Sequence, residues 1–119
     1  MNLLGPQTRV WLVLGATDMR KAINGLSLMV ADRLGHDAFS GHLFAFCNRG
    51  RTLIKILYWD RGGFVLVYKR LERGRFQMPR IADDATSVTL DAASLEMLMG
   101  GVDMATVKRI PAWKPASAA

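Results

Sequence analysis

The sequence predicts an α+β domain: an antiparallel β-meander of about four or five strands, one long helix packed on one face of the sheet and a short helix near the C-terminus. Three observations predict it. Apolar residues recur at three- and four-residue steps between Met19 and Leu34, the spacing of a single helix face. From Gly41 the apolar period changes to two, over three successive runs separated by glycine-bearing breaks of hairpin length. Finally, Asp91 precedes an apolar segment, Ala92 to Met99, that stops at Gly100 and Gly101, which gives a capped helix with a defined end.

Taken in order, Thr8 to Leu14 reads as a half-buried strand, because Val10, Leu12 and Leu14 alternate with Arg9, Trp11 and Val13 and the run ends at Gly15. Thr17 or Asp18 is then placed to cap a helix carrying Met19, Ile23, Leu26, Met29, Val30 and Leu34 on its inner face, with Gly35 as the C-terminal stop. Gly25 lies inside that helix at a cost of about 1 kcal/mol relative to alanine, so another element is expected to pack closely against its turn. The strands of the meander are His42 to Cys47, Thr52 to Trp59 and Phe64 to Lys69, broken by Asn48-Arg49-Gly50-Arg51 and Asp60-Arg61-Gly62-Gly63. With Trp59 opposite Phe64, Leu57 falls opposite Leu66 and Lys55 opposite Tyr68, so Lys55 emerges on a largely apolar face with a stem long enough to snorkel to water.

Beyond Tyr68, Lys69 to Arg75 reads as a short helical turn, Phe76 to Pro79 as a loop and Ser87 to Leu90 as a short fourth meander strand. In the last helix Leu95, Leu98 and Met99 face inward. Residues 1–110 are expected to form a single domain, and 111–119, with two prolines and mostly small residues, a mobile tail. No internal repeat is visible.

Charge narrows the partner class. The 119 residues carry a formal charge of +6 and a pI near 10.1, so polyanions are attracted before any specific contact forms. The excess is local: residues 49–80 hold nine bases against Asp60 and Glu72, while the flanking segments are close to balance or mildly acidic. No apolar run approaches the roughly 18 residues of a spanning helix, and the start lacks the regions of a signal peptide, so a cytoplasmic protein without membrane attachment is expected. A single Cys47 with only His36 and His42 elsewhere offers no internal disulfide and no zinc spacing; no metal and no cofactor are expected.

The basic residues supply the candidate site. Lys69, Arg70, Arg73 and Arg75 stand with one acid, Glu72, in seven residues at a strand end, where they repel one another unless an anion compensates. Arginine dominates, which favours bidentate phosphate contact. Arg20 and Lys21 open the first predicted helix, where positive charge opposes the macrodipole and helix stability does not explain it. With Lys55, Arg49 and Arg51 they complete the expected nucleic-acid-binding set. Asp18, Asp60 and Glu72 do not make a convincing metal-binding triad, since a helix cap, a glycine turn and neighbouring bases account for them in turn; no catalytic residue is expected. His36 and His42 are expected to be satisfied surface or edge-strand residues, and the tryptophans and phenylalanines core rather than base-stacking platforms.

Three stretches carry a resemblance: Thr17 to Lys21 followed by Gly25-Leu26; Phe39 to Phe46; and Leu53 to Asp60 running on to the string from Tyr68 to Phe76. Together they resemble the accessory protein encoded by the second reading frame of insertion-sequence-66 elements, often called TnpB of that family and unrelated to the RNA-guided nuclease sharing that label. The chain departs from the family pattern at Gln77-Met78, where a tryptophan usually precedes the proline, and at Cys47 to Thr52, where relatives tend to have a longer basic stretch with an aspartate. The resemblance implies participation in transposition beside a separate transposase that supplies the DNA-cutting carboxylates. DNA is thus the expected partner and the element's transposase a further one. An adaptor that recruits or stabilises the transposase without touching DNA is the alternative. No zinc finger or helix-turn-helix marks a groove-reading element, and nothing in the sequence sets the oligomeric state.

Overall fold

Strands β1 (Val10–Val13), β2 (Leu43–Cys47), β3 (Leu53–Asp60), β4 (Gly63–Arg70) and β5 (Ser87–Leu90) form one sheet in the order β4-β3-β2-β1-β5. The computed structural model describes residues 5–79 and 85–100 and the backbone of 102–103 and 108–109; Arg80, Gly101 and the tail from 111 lie outside the described residues. Helix α1 (Ile23–Leu34) covers one face of the sheet, and α2 (Ala92–Met99), with the chain from Leu71 to Met78, covers the other. A short antiparallel pair, β6 (Val102–Asp103) with β7 (Lys108–Arg109), follows α2 and has no counterpart in the sequence reading.

The predicted β3–β4 register is the one found: Trp59 pairs with Phe64, Leu57 with Leu66 and Lys55 with Tyr68. Its two-residue loop has positive φ at both positions, 42° at Arg61 and 87° at Gly62, the geometry whose twist matches the flanking strands. The period of two places Phe44, Phe46, Leu57 and Leu66 against α1, and Leu43, Ala45, Ile54, Ile56 and Val67 against α2.

Five expectations are corrected. The sheet is mixed, not a simple meander: β1 pairs parallel with β2, with α1 as the crossover between them. The strand expected to extend the meander, β5, instead pairs antiparallel with β1 on the far side of the sheet. In β1, Val10 and Leu12 are fully buried and Val13 nearly so, and a strand covered on both faces takes a partner on each side. Next, α1 begins at Ile23 with Ala22 as an N-cap that makes no side-chain bond, so neither Thr17 nor Asp18 caps it. A helix begun at Met19 would use the Met19 and Lys21 carbonyls internally, and the Lys55 ammonium holds both at 2.8 Å. No foreign element crowds Gly25 either: an added Cβ there would meet Lys21 side-chain atoms at 3.2 and 3.3 Å. Last, 69–75 is not helical, because β4 pairs through to Arg70 and the chain then bends.

Helix α2 begins and ends as expected, with the Asp91 carboxylate accepting the Ser94 N–H at 2.7 Å and Leu98 fully buried. That bond holds the Asp91 carboxyl below its ordinary value of 3.8. A carboxyl depressed on folding stabilises the fold above its unfolded value and loses that contribution as pH falls through the folded one. Asp91→Ala should therefore lower the melting temperature at neutral pH, with the gap to the parent closing as pH falls below about 4 in thermal melts recorded across acid pH.

Candidate nucleic-acid interface

The basic segment is gathered at one end of the sheet by backbone bonds. In the β2–β3 turn the Asn48 side-chain oxygen accepts the N–H groups of Thr52 and Leu53 at 2.9 and 3.0 Å, which fixes Arg51 in a left-handed conformation (φ 59°). Where β4 ends, Leu71 N–H donates to the Thr52 carbonyl at 2.8 Å and Phe76 N–H to the Arg51 carbonyl at 2.7 Å, with φ of 81° at Gly74 turning the chain between them. Phe76 is fully buried and anchors the bend. Arg49 and Arg51 on the turn thus share one sheet end with Arg70, Arg73 and Arg75 on the bend, and all five are exposed.

The nine predicted site residues separate into three groups. Lys55 is 8% exposed, its Nζ donates to the Met19 and Lys21 carbonyls and lies 5.6 Å from the centre of the Tyr68 ring, so it braces the sheet and does not reach solvent as expected. Lys69 points to the other face and donates to the Met99 carbonyl at the C-terminal end of α2. Arg20 and Arg70 are exposed and pair with acids two residues away, Asp18 at 2.6 Å and Glu72 at 2.7 Å. The Arg20 guanidinium brings the Asp18 carboxyl down to about 2. Such surface pairs contribute little to stability. Arg49, Arg51, Arg73 and Arg75 have no carboxylate partner within 4.0 Å among the described residues, and Lys21 is exposed.

Beside the β2–β3 turn lies a cleft of about 630 Å³ between the ends of β1 and β2 and the chain after Phe76. Leu14, Met78 and Pro79 supply apolar walls, and Arg49 and Arg51 reach its lining. The sequence reading missed it, since its walls come from segments that alternation and turn chemistry treat separately. At the opposite end of the β3–β4 hairpin, Phe39 is 59% exposed, with ring centroids 4.9 Å from Trp59 and 5.1 Å from Phe64. This aromatic cluster was also unforeseen, because Phe39 sits in a loop outside any period.

The other candidates are structural. His42 Nδ1 accepts the Arg9 N–H at 2.9 Å, and the His36 ring lies 4.1 Å from that of Trp11. Burial pushes the Cys47 thiol up to about 11, far from a reactive thiolate. Among the described residues no three His, Cys, Asp or Glu side chains gather as a metal site would, and no helix is long and apolar enough to cross a membrane.

Comparison with known proteins agrees with the resemblance. Residues 8–109 match the family described as IS66 Orf2 like protein. The chain is 36% identical over 99 residues to the uncharacterized protein y4hO of Sinorhizobium fredii, covering 83% of this chain and 84% of that one. It is 32% identical over 119 residues to the uncharacterized protein y4jC of the same organism, covering 98% and 100%. No solved structure matches.

Proposed function

The chain belongs to the family of IS66 Orf2 like proteins, and from that premise we propose that it is a non-catalytic accessory protein of insertion-sequence transposition that binds DNA through the basic end of its sheet. It acts in the cytoplasm on the DNA of its element, beside the transposase. The observation that carries this reading is the stapling of the 71–76 bend to the β2–β3 turn, which brings Arg49, Arg51, Arg73 and Arg75 to one rigid rim. Arginines held on a rim lose little conformational freedom when they meet a phosphate, and their planar forks match its oxygens. Fluorescence anisotropy of labelled DNA across a salt series tests it: log affinity should fall linearly with log salt, by about 0.9 per phosphate neutralised.

A second reading is an adaptor that recruits or stabilises the transposase without contacting DNA. The exposed Phe39, packed on Trp59 and Phe64 at the end opposite the arginines, favours a protein partner there. Pull-down of the transposase with and without nuclease treatment separates direct contact from contact bridged by DNA.

No strand cleavage is expected in either case. Asp18 is held by Arg20, Glu72 by Arg70, and Asp60 closes the β3–β4 hairpin opposite Gly63. Supercoiled plasmid incubated with magnesium or manganese should stay intact; nicking that disappears in Asp60→Ala would refute this.

A further inference from the structure

We infer that the cleft beside the β2–β3 turn receives one unstacked nucleotide of a single strand, its base against Leu14, Met78 and Pro79 and its phosphate on Arg49 and Arg51. This rests on the DNA-binding reading and narrows it to a substrate form and a subsite. The cleft, about 630 Å³, falls within the range of sites that enclose small organic groups. Its lining joins the two chemistries of a nucleotide: apolar residues that include a polarizable thioether, able to take a flat π-system, and two arginines able to take a phosphodiester.

The cationic part is preorganised. Arg49 and Arg51 flank Gly50 on a turn pinned by the Asn48 carboxamide, which also donates to the Thr52 hydroxyl at 3.1 Å. The apolar part is set by Phe76, whose burial and bond to the Arg51 carbonyl tie the segment carrying Met78 to that same turn. A base paired and stacked in a duplex presents only its edge and cannot enter such a cleft, whereas a base in a single strand or one turned out of the helix presents its faces. No aromatic side chain lines the cleft among the described residues, so the base contributes moderately and the phosphate the larger share.

The test measures anisotropy with three labelled probes of about twelve nucleotides: an oligothymidylate strand, a strand of the same length built from abasic residues, and a blunt duplex. The parent protein should bind the oligothymidylate several-fold tighter than the abasic strand, up to about tenfold, from the apolar surface its base covers. Met78→Ala should bring that ratio toward one with the affinity for the abasic strand unchanged, and Arg49→Gln with Arg51→Gln should weaken both. If the parent binds natural and abasic strands equally, or prefers the duplex to the oligothymidylate, the cleft is not a base site and the inference falls while DNA binding stands. Binding of none of the three probes would overturn the inference together with the reading it rests on.

Discussion

Replacing Arg49, Arg51, Arg73 and Arg75 together by glutamine should weaken DNA binding on the order of a hundredfold at low salt and flatten the salt dependence by about 3.5 in log–log slope. The slope follows from four lost phosphate contacts, each worth about 0.9 on duplex DNA; on a single strand, at about 0.7 each, the change is about 2.8. These four are chosen by structure, because they share one sheet end without a carboxylate partner, whereas Lys55 is bonded to two carbonyls, Lys69 to α2, Arg20 and Arg70 to neighbouring acids, and the exposed Lys21 belongs to the segment before α1. The variant should fold. None of the four guanidinium groups is in an ion pair among the described residues, and the rim is held by Asn48 and by backbone bonds that glutamine preserves. Anisotropy titrations over a salt series, with thermal melts as the folding control, check both parts. An unchanged slope in a folded variant would move the DNA contact off the rim and strengthen the adaptor reading.

What could be read from the sequence was what local physics decides. Pairing of β3 with β4 depends on a two-residue turn and a side-chain period of two, both contained in the segment itself, and the register came out residue for residue. The Asp91 cap is equally local, a carboxylate reaching an N–H three residues on. The misses are decided by distant partners. The run from Val10 to Leu14 alternates on paper and reads as half buried, and only its neighbours β2 and β5 show that it is internal and covered on both faces. The first turn of α1 is undone by Lys55, 34 residues from the Lys21 carbonyl it binds. Segmental charge marked residues 49–80, which reach both ends of the β3–β4 hairpin. It could not tell the exposed arginines from lysines of equal formal charge whose ammonium groups are bonded to backbone carbonyls.

Lys55→Met should cost about 1–3 kcal/mol of stability without changing the salt slope of DNA binding. In the sheet Lys55 pairs with Phe46 on one side and Tyr68 on the other, and methionine keeps most of that stem packing. What it removes is the ammonium, which donates to the Met19 and Lys21 carbonyls at 2.8 Å and lies 5.6 Å from the Tyr68 ring centre. Two carbonyls lose their donor at a part-buried site where Lys55 is 8% exposed, and an acceptor left without its partner there carries part of its desolvation penalty. The segment from Met19 to Lys21 should loosen first, because its carbonyls are the ones released, and amide hydrogen exchange should show the change there before it reaches β2. Urea denaturation gives the stability, and anisotropy at a temperature where the variant is folded gives the slope. An ammonium occupied by two carbonyls and a ring makes no phosphate contact, so parent and variant should give parallel salt plots. If instead the variant is as stable as the parent and its slope falls by about 0.9, Lys55 reaches the phosphate as its sequence position first indicated, and its inward bonds do not hold in solution.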